Sequence, residues 1–180
     1  MALTQITGDG LATSGLPTGT VLQVQYTQYT GTFSQSLTAD TDTVLGSAVL
    51  TVNITPKSTS SIIKLDCHVF HEFSVTSRAA DNVWYFFRDT TKLASPAAGN
   101  RNVGISMTGL SYYADDASST PDTAYYSYFD TPNTTSQITY KIGVHCNVDT
   151  TIYVNRTVND TDNDYFERGI SFISATEIAG

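Results

Sequence analysis

The sequence predicts an all-β protein, an antiparallel two-sheet sandwich of the jelly-roll kind preceded by an extended N-terminal arm. Three observations predict it. Thr, Ser and Asn fill most polar positions, eleven Tyr and eight Phe are present, and only 14% of the residues are charged; β-branched and aromatic side chains fit a pleated, half-buried surface. Apolar and polar residues alternate in segment after segment, which is the period of a strand. The segments are short and divided by clusters of Gly, Pro, Asn and Asp, as sandwich strands are. At 180 residues, one domain suffices, because a chain of this size buries about 70% of its unfolded surface.

Residues 1–19 contain four Gly and one Pro with no hydrophobic period, so they form the arm and leave residues 20–180 as the sandwich. Strands are expected at residues 21–28, 32–37 and 47–55. In SIIKLDCHVFHEFSVTS, Ile63, Leu65, Cys67, Val69, His71, Phe73 and Val75 share one face, opposite Lys64, Asp66, His68 and Glu72. That is a long strand with one buried side. Residues 82–89 and 102–110 follow, then 124–129. In QITYKIGVHCNV, Ile138, Tyr140, Ile142, Val144, Cys146 and Val148 point inward, with Thr139, Lys141, His145 and Asn147 outward. Residues 151–155 and 170–178 complete the set, and any helix is a single turn within 77–81 or 118–122.

Nine Lys plus Arg against seventeen Asp plus Glu give a net charge of -8. No basic cluster is dense enough to neutralise a phosphate backbone, so nucleic acid is not an expected partner. The N-terminus lacks the basic and apolar regions of a secretion signal, and no apolar run is long enough to span a bilayer. Synthesis in a cytoplasm without membrane insertion is the expectation. Cys67 and Cys146 lack zinc-type spacing and lie in alternating apolar patterns; buried free thiols are expected, with a bridge between neighbouring strands as the alternative.

Chemistry is sparse. His68, Glu72 and His145 converge on a metal only if the two long strands pair, and His71 interrupts an apolar face as a hydrogen-bonded core histidine does. No GxSxG elbow occurs, and the acids cluster in turns instead of facing a cleft, so the expectation is a protein without enzymatic activity or cofactor. The stretch NRTVNDTDNDYFERG is the best cation candidate. Its Asp160, Asp162 and Asp164 alternate as calcium-loop carboxylates do, with Glu167 following. It lacks the Gly and the terminal Glu of an EF-hand, and an Asx-rich turn accounts for the same residues. Asn53, Asn133, Asn155 and Asn159 begin N-x-[ST] triplets, which arise by chance in a Thr-rich chain.

Aromatic residues make the remaining signal. Trp84, Tyr85, Phe86 and Phe87 form an unbroken run, and Tyr112, Tyr113, Tyr125, Tyr126, Tyr128 and Phe129 crowd a second region. Trp84, Phe86 and the five Tyr of that region are candidates for a subunit interface or a ligand platform, against the alternative of ordinary core.

Three stretches, ITGDGLATSGLPTGTVLQVQ, YFDTPNTTSQITYKIGV and YVNRTVNDTDNDYFERGISFISATEIAG, carry a family resemblance. The chain resembles virion structural proteins of tailed bacteriophages, especially those of aquatic bacteria, in which an LPxGxVLQV opening and a terminal acidic-apolar MEIA-type strand bracket a β-sandwich. Here the ending is Thr176, Glu177, Ile178, Ala179 and Gly180. The resemblance implies a module on the outside of a virion: a head of a tail or head fibre, or a capsid decoration (cement) protein, commonly a homotrimer. On that basis the partners are other copies of the chain and, through the arm, capsid or tail proteins. Asn155, Arg156 and Thr157 match the family's pattern before the last hairpin, where the resemblance implies a structural role. A host-recognition module binding surface polysaccharide is the alternative function.

Overall fold

The computed structural model describes residues 16–46, 48–74, 81–109 and 119–180. They form eleven strands and, among the described residues, no helix: β1 (Val21–Tyr29), β2 (Phe33–Leu37), β3 (Thr43–Val44), β4 (Thr51–Ile54), β5 (Ile62–Phe73), β6 (Asn82–Arg88), β7 (Thr91–Leu93), β8 (Asp122–Asp130), β9 (Ile138–Cys146), β10 (Thr150–Val154) and β11 (Ser171–Ile178). All pairings are antiparallel, in a six-stranded and a five-stranded sheet.

β5 organises the first sheet. One of its edges pairs with β8 along Ile63 to His71. The other pairs with β11 along Ile62 to His68 and then with β10 from His71 to Phe73. β10 and β11 are therefore one line of strand, interrupted between Val154 and Ser171. The outer line is interrupted at the same place: β2 pairs with β10 up to Phe33 and β1 pairs with β11 from Tyr29. The acidic stretch 155–170 is thus an excursion thrown out from the middle of a sheet row, and an isolated Arg156–Arg168 bridge closes its neck. In the second sheet β9 pairs with β6 on one edge and with β3 and β4 in succession on the other.

The two long strands alternate as their sequences require. Ile63, Leu65, Cys67 and Val69 of β5 are fully buried, as are Tyr140, Ile142 and Val144 of β9. Together with Ile173 and Ala175 from β11 and Trp84 and Phe86 from β6 they make one core between the sheets. Contacts cross it directly: Phe86 packs on Tyr126 at 4.8 Å between ring centroids, and His71 on Trp84 at 4.8 Å. Cutting a side chain such as Trp84 to Ala from such a core costs about 3–5 kcal/mol.

Two expected strands are corrected. Residues 47–55 shorten to β4, because Leu45 and Leu50, both fully buried, are carried by a turn around Gly46. Residues 102–110 hold no strand among the described positions. They make only a bridge from Ser106 to Trp84, with Ile105 N–H donating to the Trp84 carbonyl. β3 and β7, of two and three residues, are too short to show a period. Residues 77–80 of one expected helical turn, Val75 and most of the arm lie outside the described residues, whereas 119–121 hold no helix and Asp122 already opens β8, so the turn expected within 118–122 is not formed.

Candidate functional site

The aromatic candidates separate by face. Trp84 and Phe86 are fully buried and Tyr126 is 5% exposed, so these three belong to the core and not to a surface contact. The reason is parity: Trp84 and Phe86 share the inward face of β6, and the Tyr126 hydroxyl crosses the core to donate to the Tyr85 carbonyl at 2.8 Å. The unbroken apolar run at 84–87 reads as two-sided burial because Tyr85, on the opposite face, is also covered. It lies over Gly143, where a Cβ would stand 2.2 Å from the Tyr85 ring. Tyr125 is 63% exposed and Tyr128 is half-buried against the core. Tyr112 and Tyr113 lie outside the described residues.

Tyr125 opens onto a broader surface. The registers place Gln28, Phe172, His68 and Tyr125 in one row across the outer face of the six-stranded sheet, with Tyr26, Ser174, Asp66 and Ser127 in the next. Val24, Thr176, Lys64 and Phe129 form the third. Val24, Tyr26, Tyr125 and Phe129 are all more than half exposed. At the centre Lys64 and Asp66 neutralise one another at 2.7 Å, and Ser127 donates to Asp66. The result is an open, uncharged, aromatic sheet face. The sequence marks Tyr125 for it but misses Val24, Tyr26 and Phe172, whose places follow only from the β1–β11–β5 register.

The metal candidates do not assemble. His68 and His145 stand on different sheets, β5 and β9, so the pairing on which their convergence depended is not made. His68 stacks on Phe172 at 5.9 Å. Among the described residues no group of three or more His, Cys, Asp or Glu is arranged to hold a metal ion. In the excursion the Asp160 carboxylate lies between Arg168, at 2.5 Å, and Arg156, at 3.4 Å. Asp162 and Asp164 are exposed, and Glu167 accepts a hydrogen bond from Ser119. Asn159 and Asn163 side chains accept from backbone N–H groups two residues on, the Asx-turn pattern. Glu72, expected to face outward, is 3% exposed. Its two oxygens accept from the backbone N–H of Thr120 and of Val158, tying the excursion to the sheet.

A polar groove runs over the outer face of the second sheet. At its centre the Asp42 carboxylate accepts from the Tyr85 hydroxyl at 2.9 Å, from Lys92 Nζ at 2.8 Å and from His145 Nδ1 at 3.1 Å. Burial alone raises the Asp42 pKa, but these three donors outweigh it and hold the carboxyl below its usual value. Burial and the Asp42 carboxylate push the Tyr85 hydroxyl well up, so it stays protonated and donating. Asp40, Asp42, Lys92, Arg101, Asn102, Val103 and His145 line a cavity of about 360 Å³. A second, of about 320 Å³, shares Arg101 and Asn102 and continues to Asp81, Met107 and Asn147.

The remaining reactive groups are enclosed. Cys67 and Cys146 are free and buried, in different sheets, and burial pushes both thiols up to about 12. His71 is buried, with Nδ1 3.2 Å from the Val69 carbonyl and Nε2 3.3 Å from the Thr108 hydroxyl. Burial lowers its pKa to about 4.

No family model and no curated protein matches this chain.

Proposed function

We propose that the chain is a non-enzymatic structural protein of the outer surface of a bacteriophage virion, a fibre-head knob or capsid decoration protein that assembles as a homotrimer. The virion setting rests on the sequence resemblance of the opening, middle and terminal stretches. The observation that carries the self-association is the open aromatic face of the six-stranded sheet.

Contiguous exposed apolar surface of this kind marks interaction sites. A chain with a net charge of -8 repels its copies at long range, so a close self-contact is favoured where charge cancels. This face meets that condition, because its central Lys64 and Asp66 pair internally. Among the described residues, both edges of the sheet, β1 with β2 on one side and β8 on the other, are unpaired on their outer sides, and closed rotational assembly covers such edges and faces together.

Attachment to the particle is assigned to the arm. Its last residues are held at one end of the sandwich, where Gly19 N–H donates to the Ala179 carbonyl and Ala179 N–H to Thr20. Nearby, the buried Glu177 carboxylate accepts from Lys57 N–H and the Ser61 hydroxyl, both at 2.6 Å, and from Gln23. The terminal acidic-apolar motif is therefore a clamp that fixes where the arm leaves. Electron microscopy of the intact particle tests the setting: copies on the outer surface are expected, and an internal location or absence from the particle would refute it.

A further inference from the structure

We propose that the self-contact of the six-stranded sheet is heterologous: the β1 border of one copy packs against the β8 border of the next, and Tyr26 seats over Ser127 of that copy, between its Tyr125 and Phe129. This rests on the self-association set out above and names the two surfaces that meet. A threefold ring needs two different patches on each chain, because a patch that meets its own copy closes a twofold pair instead.

The outer face carries two such patches. The bulge between Val21 and Gln23 in the β1–β11 register adds one residue, so Val21 returns to the face that Val24 and Tyr26 occupy, and all three are more than half exposed. On the far border Tyr125 and Phe129 are also more than half exposed, with the exposed Ser127 between them. Alternate residues of a strand share a face, so a small side chain stands between two large rings and leaves a notch. The strip between the borders is polar, with Ser174 and Thr176 of β11 beside the Lys64–Asp66 ion pair. Stacking the face on itself would bury that pair, and its desolvation offsets what the burial gains. Contact along the borders leaves it in water.

Strand direction and register make the borders fit. β1, β11, β5 and β8 pair antiparallel in turn, so β1 and β8 run in opposite senses. Rotation about an axis along the strands keeps the sense of each strand, and therefore sets β8 of one copy antiparallel to β1 of the next, the commoner arrangement of neighbouring strands. A closed rotation carries no shift along its axis, so each row of the face meets its own row. Tyr26 shares a row with Ser127, and Val24 shares one with Phe129. Tyr26 thus falls into the notch and Val24 lies beside Phe129. Neither strand contains a Pro, Lys or Arg, and Pro and Lys are residues that keep sheet edges from meeting.

The test cross-links the full chain carrying both Gln28→Cys and Ser127→Cys, which leave the three rings in place, with a bis-maleimide shorter than the sheet is wide. Within one chain the two positions stand three strand spacings apart, about 14 Å, and the native Cys67 and Cys146 are buried. A covalent three-chain species from the double variant, and only single chains from each one-cysteine variant, are expected. Covalent two-chain species from either one-cysteine variant would overturn the proposal, since like would then meet like. So would single chains from a double variant that still sediments as a trimer, which would move the contact elsewhere and spare self-association. A wild type that sediments as a monomer would sink both. Sedimentation supplies a second measure without cysteines: Tyr26→Ala, and Ser127→Phe filling the notch, should each weaken the assembly about 30-fold, as loss of a central aromatic anchor does. Unchanged association of both variants would also overturn the proposal.

Discussion

Ser171 donates its hydroxyl hydrogen to Asn155 Oδ1 over 2.6 Å, joining the two residues between which an otherwise continuous line of strand is broken open. Asn155 is fully buried, and its Nδ2 donates to the carbonyls of both Tyr29 and Gly31, at 2.8 Å each. One amide therefore closes the neck of the excursion and the gap in the neighbouring row. Its backbone sits at φ 61°, in the left-handed region that Asn tolerates better than other side-chain-bearing residues.

Asn155→Ala should accordingly lower unfolding stability by about 2 kcal/mol, since it strips the buried Ser171 hydroxyl and the part-buried Tyr29 and Gly31 carbonyls of their partner and places a Cβ-only residue at positive φ. Asn155→Gly should recover about 1 kcal/mol of that loss by relieving the backbone. Urea-unfolding midpoints of the two variants check both figures. Equal stability of Asn155→Ala and the wild type would remove the neck from the account.

How much of this was legible in the sequence depends on range. The alternation in β5 and β9 is local, and it identifies Ile63, Leu65, Cys67, Tyr140 and Ile142 as core without knowledge of partners. The role of Asn155 depends on Tyr29 and Gly31, more than 120 residues away in the chain, and no local pattern signals it. The same holds for the groove: Asp42 lies just before β3, Lys92 on β7 and His145 on β9, and only the β3–β9–β6–β7 order assembles them. Trp84 and Phe86 look like surface anchors because composition does not distinguish a strand buried on both faces from one that meets a partner.

His71 gives the molecule a pH dependence with a definite sign. Its pKa falls from an ordinary 6.5 to about 4 on folding, so between those values the unfolded chain binds more protons than the native one. Stability then rises with pH across the window, is complete above about pH 6.5, and is lost as pH falls toward about 4. The full effect is about 3 kcal/mol. His71→Gln should flatten this part of the profile, read from urea midpoints at successive pH values; an unchanged slope would assign it to other groups.

Calcium should leave the protein alone. Asp160 is already neutralised by Arg156 and Arg168, and a cation would have to displace both guanidinium groups. Melting temperatures in millimolar calcium and in chelator are expected to coincide, because a ligand bound only by the native state would raise the first. Asp160→Asn should cost only about 0.5 kcal/mol, as partly exposed ion pairs do. A calcium-dependent rise abolished by Asp160→Asn would restore the excursion as a metal site.

Self-association through the outer face of the six-stranded sheet is the central claim, and the mass of the purified protein in solution tests it most directly. Analytical ultracentrifugation at micromolar concentration should give three times the chain mass for the wild type. It should give the single-chain mass for the combined variant Tyr26→Ser, Tyr125→Ser and Phe129→Ser, with the fold retained. A wild type that sediments as a monomer, or a combined variant that remains a trimer, would contradict it.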